Sequence, residues 1–339
     1  MFRNDYSEIC APEVLQAIAD CGLEQNIGYG LDRHSESAAN KILEKFGLTG
    51  KASVHFLAGG TQTNAVVISY FLRPYEAVIA CNTGHINVHE TGAVEGCGHK
   101  VLTVDNADGK IRPEDIEKIV LRHVDEHMVK PRMVYISDST ETGTVYTKGE
   151  LSAIRAVCDK CGLLLFIDGA RLGVALTLRE SDVTCETIGA VADVFYVGGT
   201  KNGALFGEAV VIKNGIGAED FRYHIKNRGA MLAKGFVCGL QFERLFTNDL
   251  YFELAKNSNQ TADLIRSGLA ACGVRFVGGS LTNQIFVQFP RAFAQTLMKR
   301  YGVELWEDAG EFLTVRIVTS FATKKEDCLE FVDYVRKNI

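Results

Sequence analysis

"FYVGGTKNGALFGEAVVI" runs from Phe195 to Ile212 and sets a single cation, Lys201, among small residues between two apolar, strand-like runs. Lysine is rarely buried unless it is paired or chemically employed. The arrangement recurs upstream. In "LLLFIDGARLG" (163–173), Asp168 follows five apolar residues, at the point where a strand should stop. Further apolar runs read as strands at 52–60, 77–82, 99–105, 131–139 and 193–199, and "EAVVIK" at 208–213. Helical patterns separate them at 35–47, 61–72 and 112–128, and 84–98 reads as a loop leading into a helix. Continuous apolar strands separated by helices predict a mostly parallel α/β sheet covered on both faces. Ligands of such sheets gather at the carboxyl ends of the strands. Every motif can therefore be asked whether it lies where a strand ends.

The alternation weakens after about residue 214. A long, largely helical stretch follows, then short strands in "VRFVGG", "NQIFVQF", "VELWED" and "FLTVRIVTS". This predicts a large domain over residues 1–240 and a smaller C-terminal α+β domain over 241–339. There is no repeat and no Pro/Ser-rich linker.

The 339 residues are 47% hydrophobic and 23% charged, with net charge −6, the profile of a globular protein with a large core. No basic run points to nucleic acid or a membrane surface. The start lacks a signal-peptide core, so a cytoplasmic location is the expectation. Ten cysteines scattered through a chain this long do not form a disulfide framework. Cys158 and Cys161 form a lone CxxC within a helical pattern closed by Gly162, with no second pair to complete a zinc site.

Five features could carry chemistry. Asp168 is a helix cap, half of a structural pair with Arg171, or a ligand to something cationic. Lys201 is a solvated turn lysine or, in a desolvated crevice, an amine nucleophile of lowered pKa. Gly59-Gly60-Thr61 ends one strand and opens a helix; such a turn caps a helix or cradles a phosphate. His85 lies just past a strand end with His89 four residues on, but no third metal ligand is evident. Arg316 lies inside an apolar strand and needs an anionic partner, a role that suits a substrate carboxylate.

In this order, "GGTQTN" (59–64), "HINVHETGA" (85–93), "FIDGARL" (166–172), "GTKNG" (199–203) and "VRIVTSF" (315–321) resemble the fold-type I pyridoxal-phosphate enzymes. Within them the chain looks like the low-specificity L-threonine aldolase branch of the β-eliminating lyases. "FRNDYSEICAPEVLQAI" (2–18) is similar to that branch's "RSDT" stretch, and "YGLDRHSESAANKILEKFG" (29–47) to its "YGxD" segment. The resemblance implies a fold-type I, transferase-like large domain and pyridoxal 5'-phosphate as cofactor. It implies that Lys201 links to the cofactor aldehyde, Asp168 pairs with the pyridine nitrogen, and His85 stacks on the ring and takes part in proton transfer. It gives Gly59, Gly60, Thr61 and Thr200 to the cofactor. Arg171 borders the cofactor and, with Arg316 and Asn4, holds the substrate carboxylate.

The implied reaction is aldol cleavage of a threonine-like β-hydroxy-α-amino acid; β-elimination, racemisation or transamination would use the same residues. A homo-oligomer, dimer or tetramer, is also implied, with Tyr29 a candidate to reach a neighbouring subunit. No resident metal is implied. Three departures stand out. Gly59 replaces a serine. Glu141 in "SDSTETG" (137–143) stands where a histidine is usual. "RGAMLAKG" (228–235) leaves Arg228 or Lys234 to supply a phosphate cation. A parallel α/β protein that binds a nucleotide or phosphate, without lyase chemistry, is the rival reading.

Overall fold

The computed structural model describes residues 1–339. Its larger sheet has seven strands: β1 (Ala52–Leu57), β2 (Glu76–Cys81), β3 (Lys100–Val104), β4 (Lys130–Ser137), β5 (Leu164–Asp168), β6 (Val194–Gly198) and β7 (Glu208–Lys213). Their order is β1-β7-β6-β5-β4-β2-β3. Only β7 is reversed, pairing antiparallel with both β1 and β6. The carboxyl ends of the six parallel strands therefore share one edge with the amino end of β7. Along β5, Leu165 and Ile167 join one apolar core while Leu164 and Phe166 join the other, so both faces are covered. That burial is why these strands read as unbroken apolar runs.

The second sheet holds β8 (Arg275–Phe276), β9 (Gln284–Pro290), β10 (Glu304–Ala309) and β11 (Phe312–Val318), all antiparallel, in the order β10-β11-β9-β8. Helices Leu250–Ala271, Arg291–Tyr301 and Lys325–Asn338 supply Ile265, Leu297 and Phe331 to a core that includes Val315 and Ile317 of β11. Strand alternation then directs Arg316 to the opposite face.

The expected division at 240/241 falls inside the helix Phe236–Leu245. Phe242, Leu245 and Tyr251 still pack in the large sheet's core, whereas Ala262, Ile265 and Leu269 belong to the second core. The change of core occurs along the helix Leu250–Ala271. The opposite terminus also crosses: Phe2 is buried in the second core, its N–H donating to the Tyr301 carbonyl.

The helix expected over 112–128 spans Pro113–Arg122. The His123 Nδ1–H donates to the Ile119 carbonyl at 2.8 Å, and Val124 and Met128 beyond it are exposed, so no apolar face extends the helix. The segment 84–98 folds as two short helices, His85–Val88 and Ala93–Gly96. The helix carrying Cys158 and Cys161 spans Lys148–Cys161 and ends at Gly162, whose φ is 66°. No helix is long and apolar enough to cross a membrane.

Candidate active site

Five strand ends converge on one cavity of about 270 Å³, lined by residues 58–61 after β1, His85 after β2, Glu141 after β4, Asp168 and Arg171 after β5, and Lys201 after β6. A neighbouring cavity of about 310 Å³ shares His85, Glu141, Arg171 and Lys201 and adds His89, Gln284, Trp306 and Arg316. Glycines allow the two central strand ends to approach. A Cβ on Gly169 would sit 1.9 Å from the Tyr196 carbonyl oxygen, and one on Gly198 2.5 Å from that of Ala170. Larger residues at either position would separate Asp168 from Lys201.

Asp168 is buried and accepts from four donors. Oδ1 takes the Ala170 N–H at 3.0 Å and the Tyr196 hydroxyl; Oδ2 takes the Tyr135 hydroxyl at 2.5 Å and Asn64 Nδ2 at 3.1 Å. Burial, then the Asp168 charge, drives both tyrosine hydroxyls well above their ordinary range, so they remain donors. Asn64 also donates to Glu90 at 2.7 Å, and Glu90 accepts from His85 Nδ1 at 2.7 Å. That bond fixes the imidazole and leaves Nε2 for the cavity. The Oε1 of Glu141 accepts from the His85 N–H at 2.9 Å and the Ser137 hydroxyl at 2.7 Å, and burial raises its carboxyl above the usual range.

Lys201 Nζ has no hydrogen-bond partner and no carboxylate within 4.0 Å. Burial first, then the Arg171 charge, lowers its pKa. The Tyr6 ring centroid lies 6.0 Å away. Opposite, the helix Gly60–Phe71 begins at the cavity, and the N–H groups of Gly60, Thr61 and Gln62 make no backbone hydrogen bond. These free amides and the helix dipole form a site for an anion.

The two arginines are differently held. Arg171 makes a two-point pair with buried Asp5, Nε to Oδ2 at 2.6 Å and Nη2 to Oδ1 at 3.0 Å, and Asn283 donates to the same carboxylate at 2.9 Å. Arg316 bonds Glu304 at 2.5 Å and Gln284 at 3.3 Å, and its Nε is buried without a partner. The structure does not bring Asn4 to either cavity. Its Oδ1 closes a turn by accepting from the Tyr6 N–H and the Ser7 hydroxyl, and it is Tyr6 that lines the wall.

A model of the beta-eliminating lyase family matches residues 3–292. The chain belongs to that family. It is 33% identical over 300 residues to a low-specificity L-threonine aldolase of a Pseudomonas species, covering 88% of this chain and 86% of that one. The corresponding Pseudomonas aeruginosa protein is 32% identical over the same length. Among solved structures, a threonine aldolase of Leishmania major superposes with a TM-score of 0.97 at 44% identity, covering 99% of this chain and 98% of that one. Aspartate aminotransferase of Thermus thermophilus, at 17% identity and a TM-score of 0.70 over 98% of this chain and 89% of that one, shares the fold. The fold is that of the fold-type I pyridoxal-phosphate enzymes.

The lyase family implies pyridoxal 5'-phosphate, and the residues present fit it. An unpartnered, desolvated amine, a fixed buried carboxylate and a helix terminus with free amides line one cavity, matching the aldehyde, pyridine and phosphate chemistry of that molecule. Sequence reading missed Asp5, Tyr6, Asn64, Glu90, Tyr135 and Glu208. Asp5 and Tyr6 adjoin the noticed Asn4. Glu208 was hidden because it starts a strand, and only the reversal of β7 brings it to the edge where the others end.

Proposed function

We propose that this chain is a pyridoxal-phosphate-dependent lyase that cleaves L-threonine, L-allo-threonine and similar β-hydroxy-α-amino acids to glycine and an aldehyde. The observation that carries it is the free, desolvated Lys201 amine in one cavity with Asp168 and the amides of Gly60 and Thr61. The relatives named for threonine cleavage supply the substrate class. When bound, the cofactor supplies an electron sink for the pair released from the Cα–Cβ bond.

Lys201 would anchor it, with Gly59, Gly60, Thr61 and Thr200 around its phosphate. Asp168 would face its ring nitrogen, whose N–H takes an acceptor position now held by one of the four donors. Arg316 binds the substrate carboxylate, with Arg171 as the fixed positive charge beside it. His85 Nε2, its tautomer set by Glu90, accepts the β-hydroxyl proton, and the Glu90 carboxylate stabilises the imidazolium. Glu141, against the His85 backbone, borders the space left for the β-substituent.

On this reading the second sheet and its helices form a small domain that closes over the cavity. The working form is a cytoplasmic homodimer or homotetramer in which exposed Tyr29, Arg228 and Lys234, all outside the cavity, reach a neighbouring subunit. Sedimentation tests the assembly. The central test is to measure glycine and acetaldehyde from both threonine diastereomers. Cleavage and a visible absorbance band, both lost in Lys201→Ala, are expected. A coloured protein that cleaves neither, or that releases pyruvate and ammonia from serine instead, overturns the reading.

A further inference from the structure

Glu208 is buried at the start of β7, opposite Leu57 of β1 and Gly198 of β6. It lines the same cavity as Gly59, Gly60 and Thr61. A carboxylate beside an anion site is a repulsive choice unless its proton is part of the device. Its hydrogen bonds show how that proton could act. Oε2 accepts from the Gly199 N–H at 3.0 Å, and Oε1 meets the Thr200 hydroxyl at 2.9 Å. Thr200 Oγ1 already accepts from the Gly207 N–H at 3.0 Å. A hydroxyl has one proton and two acceptor positions. If Glu208 is ionised, the Thr200 proton is committed to it. If Glu208 is protonated, it donates to the second Thr200 lone pair, and the Thr200 proton is freed for the cavity, where an anion competes only with a long 3.5 Å contact to the Gly207 carbonyl.

We propose that Glu208 and Thr200 form a proton-controlled hydrogen-bond donor for the anionic end of the cofactor, so that binding the phosphate is coupled to holding a proton on Glu208. This rests on the cofactor reading above. The environment favours the required state. Burial, opposed by the bonds from Thr200 and Gly199 and by the Lys201 charge, raises the Glu208 carboxyl from 4.5 to about 7, and the Asp168 charge adds to the rise. The other titratable groups that feel it are Tyr196 of β6, Cys238 of the helix Phe236–Leu245 and Tyr251. All three are held protonated by burial and carry no opposing charge.

The sign follows. Phosphate binding is favoured while Glu208 is protonated and weakens as pH rises through about 7, by up to about tenfold per unit for one linked proton. Glu208→Gln separates this from a scaffolding role. The Gly199 N–H is shared between Glu208 and the Gly207 carbonyl, each at 3.0 Å, and a Gln amide turned towards it would set donor against donor. The Gln carbonyl therefore faces it, and the Gln amide donates permanently to Thr200.

The experiment titrates apoprotein with pyridoxal 5'-phosphate, and with pyridoxal as the phosphate-free control, from pH 6 to 9. It reads visible absorbance and the fluorescence of Trp306, the single tryptophan. Wild-type affinity for the phosphate ester should fall with pH above about 7, Glu208→Gln should stay tight without that slope, and Thr200→Val should be weak and without it. Comparison between proteins cancels the phosphate's own ionisation near pH 6. Pyridoxal should show a smaller Glu208-dependent slope, limited to the charge coupling between Glu208 and Lys201. Parallel profiles for wild type and Glu208→Gln, or affinity lowered equally at every pH, overturn the proposal. Absence of binding by every protein overturns the cofactor reading and the proposal with it.

Discussion

The two arginine-bearing walls of the cavity use the same side chain in opposite ways. On the large-sheet wall, Arg171 is 12% exposed and its partner Asp5 1%, and both donors of the fork are taken by that carboxylate. On the second-sheet wall, Arg316 is 18% exposed, but its partner Glu304 is 36% exposed and its Nε has no partner. A buried two-point pair resists separation, because breaking it leaves a charge in low dielectric. An ion pair with one partner in water is worth little and exchanges easily. Lining one cavity therefore does not make the arginines equivalent. Arg171 is part of the scaffold that fixes the amino-terminal segment over the site, and Arg316 is free to change partners.

Replacing each arginine is the strongest test of that contrast. Arg171→Ala strands Asp5 and should cost about 3–5 kcal/mol of stability, read as a lowered denaturant midpoint. The double change with Asp5→Ala should recover much of the loss, since no buried charge remains. Arg316→Ala should change stability by no more than about 1 kcal/mol. Its effect belongs in kinetics: losing a charge-assisted bond to substrate, about 1.5–3 kcal/mol, raises KM by roughly 10- to 100-fold. Equal stability losses in the two variants would break the comparison.

Acid sharpens it further. Burial opposes ionisation of Asp5, but Arg171, Lys201 and the bonds from Arg171 and Asn283 outweigh it and hold its carboxyl below 3.8. A depressed folded pKa gives stability that is full above 3.8 and is lost as pH falls through the lower folded value. Relative to wild type, the Asp5→Asn/Arg171→Gln protein should show a shallower loss of stability below about pH 4 in denaturant titrations.

The sequence made the large sheet legible because strands buried on both faces have no alternation to obscure them. Asp168 and Lys201 were visible as charges that interrupt such runs, and a strand end is where they could matter. The same rule concealed Glu208, which begins a run instead of ending one; its place depends on the reversal of β7, a long-range pairing that local pattern does not encode. The partner of Arg171 was equally hidden. Asp5 lies 166 residues away in an irregular segment, and nothing near either residue marks the pair. The change of core along the helix Leu250–Ala271 was not legible for a related reason: one helix can serve two cores, and apolar periodicity does not say which core each turn faces.

The smallest expected effect falls on Asn4, which precedes Asp5 in the chain but lies outside both cavities. Its Oδ1 accepts from the Tyr6 N–H at 3.1 Å and the Ser7 hydroxyl at 2.8 Å, an exposed local turn that sets the direction of Tyr6. A serine hydroxyl can close the same turn, though more weakly. Asn4→Ser should therefore leave stability within about 0.5 kcal/mol of wild type, as for an ordinary surface change. Asn4→Ala, which removes the turn, should raise KM by less than Arg316→Ala does, through a looser Tyr6. Should Asn4→Ala instead raise KM as much as Arg316→Ala, Asn4 touches the substrate itself. The first wall would then contribute an exchangeable ligand as well as the fixed Arg171–Asp5 pair.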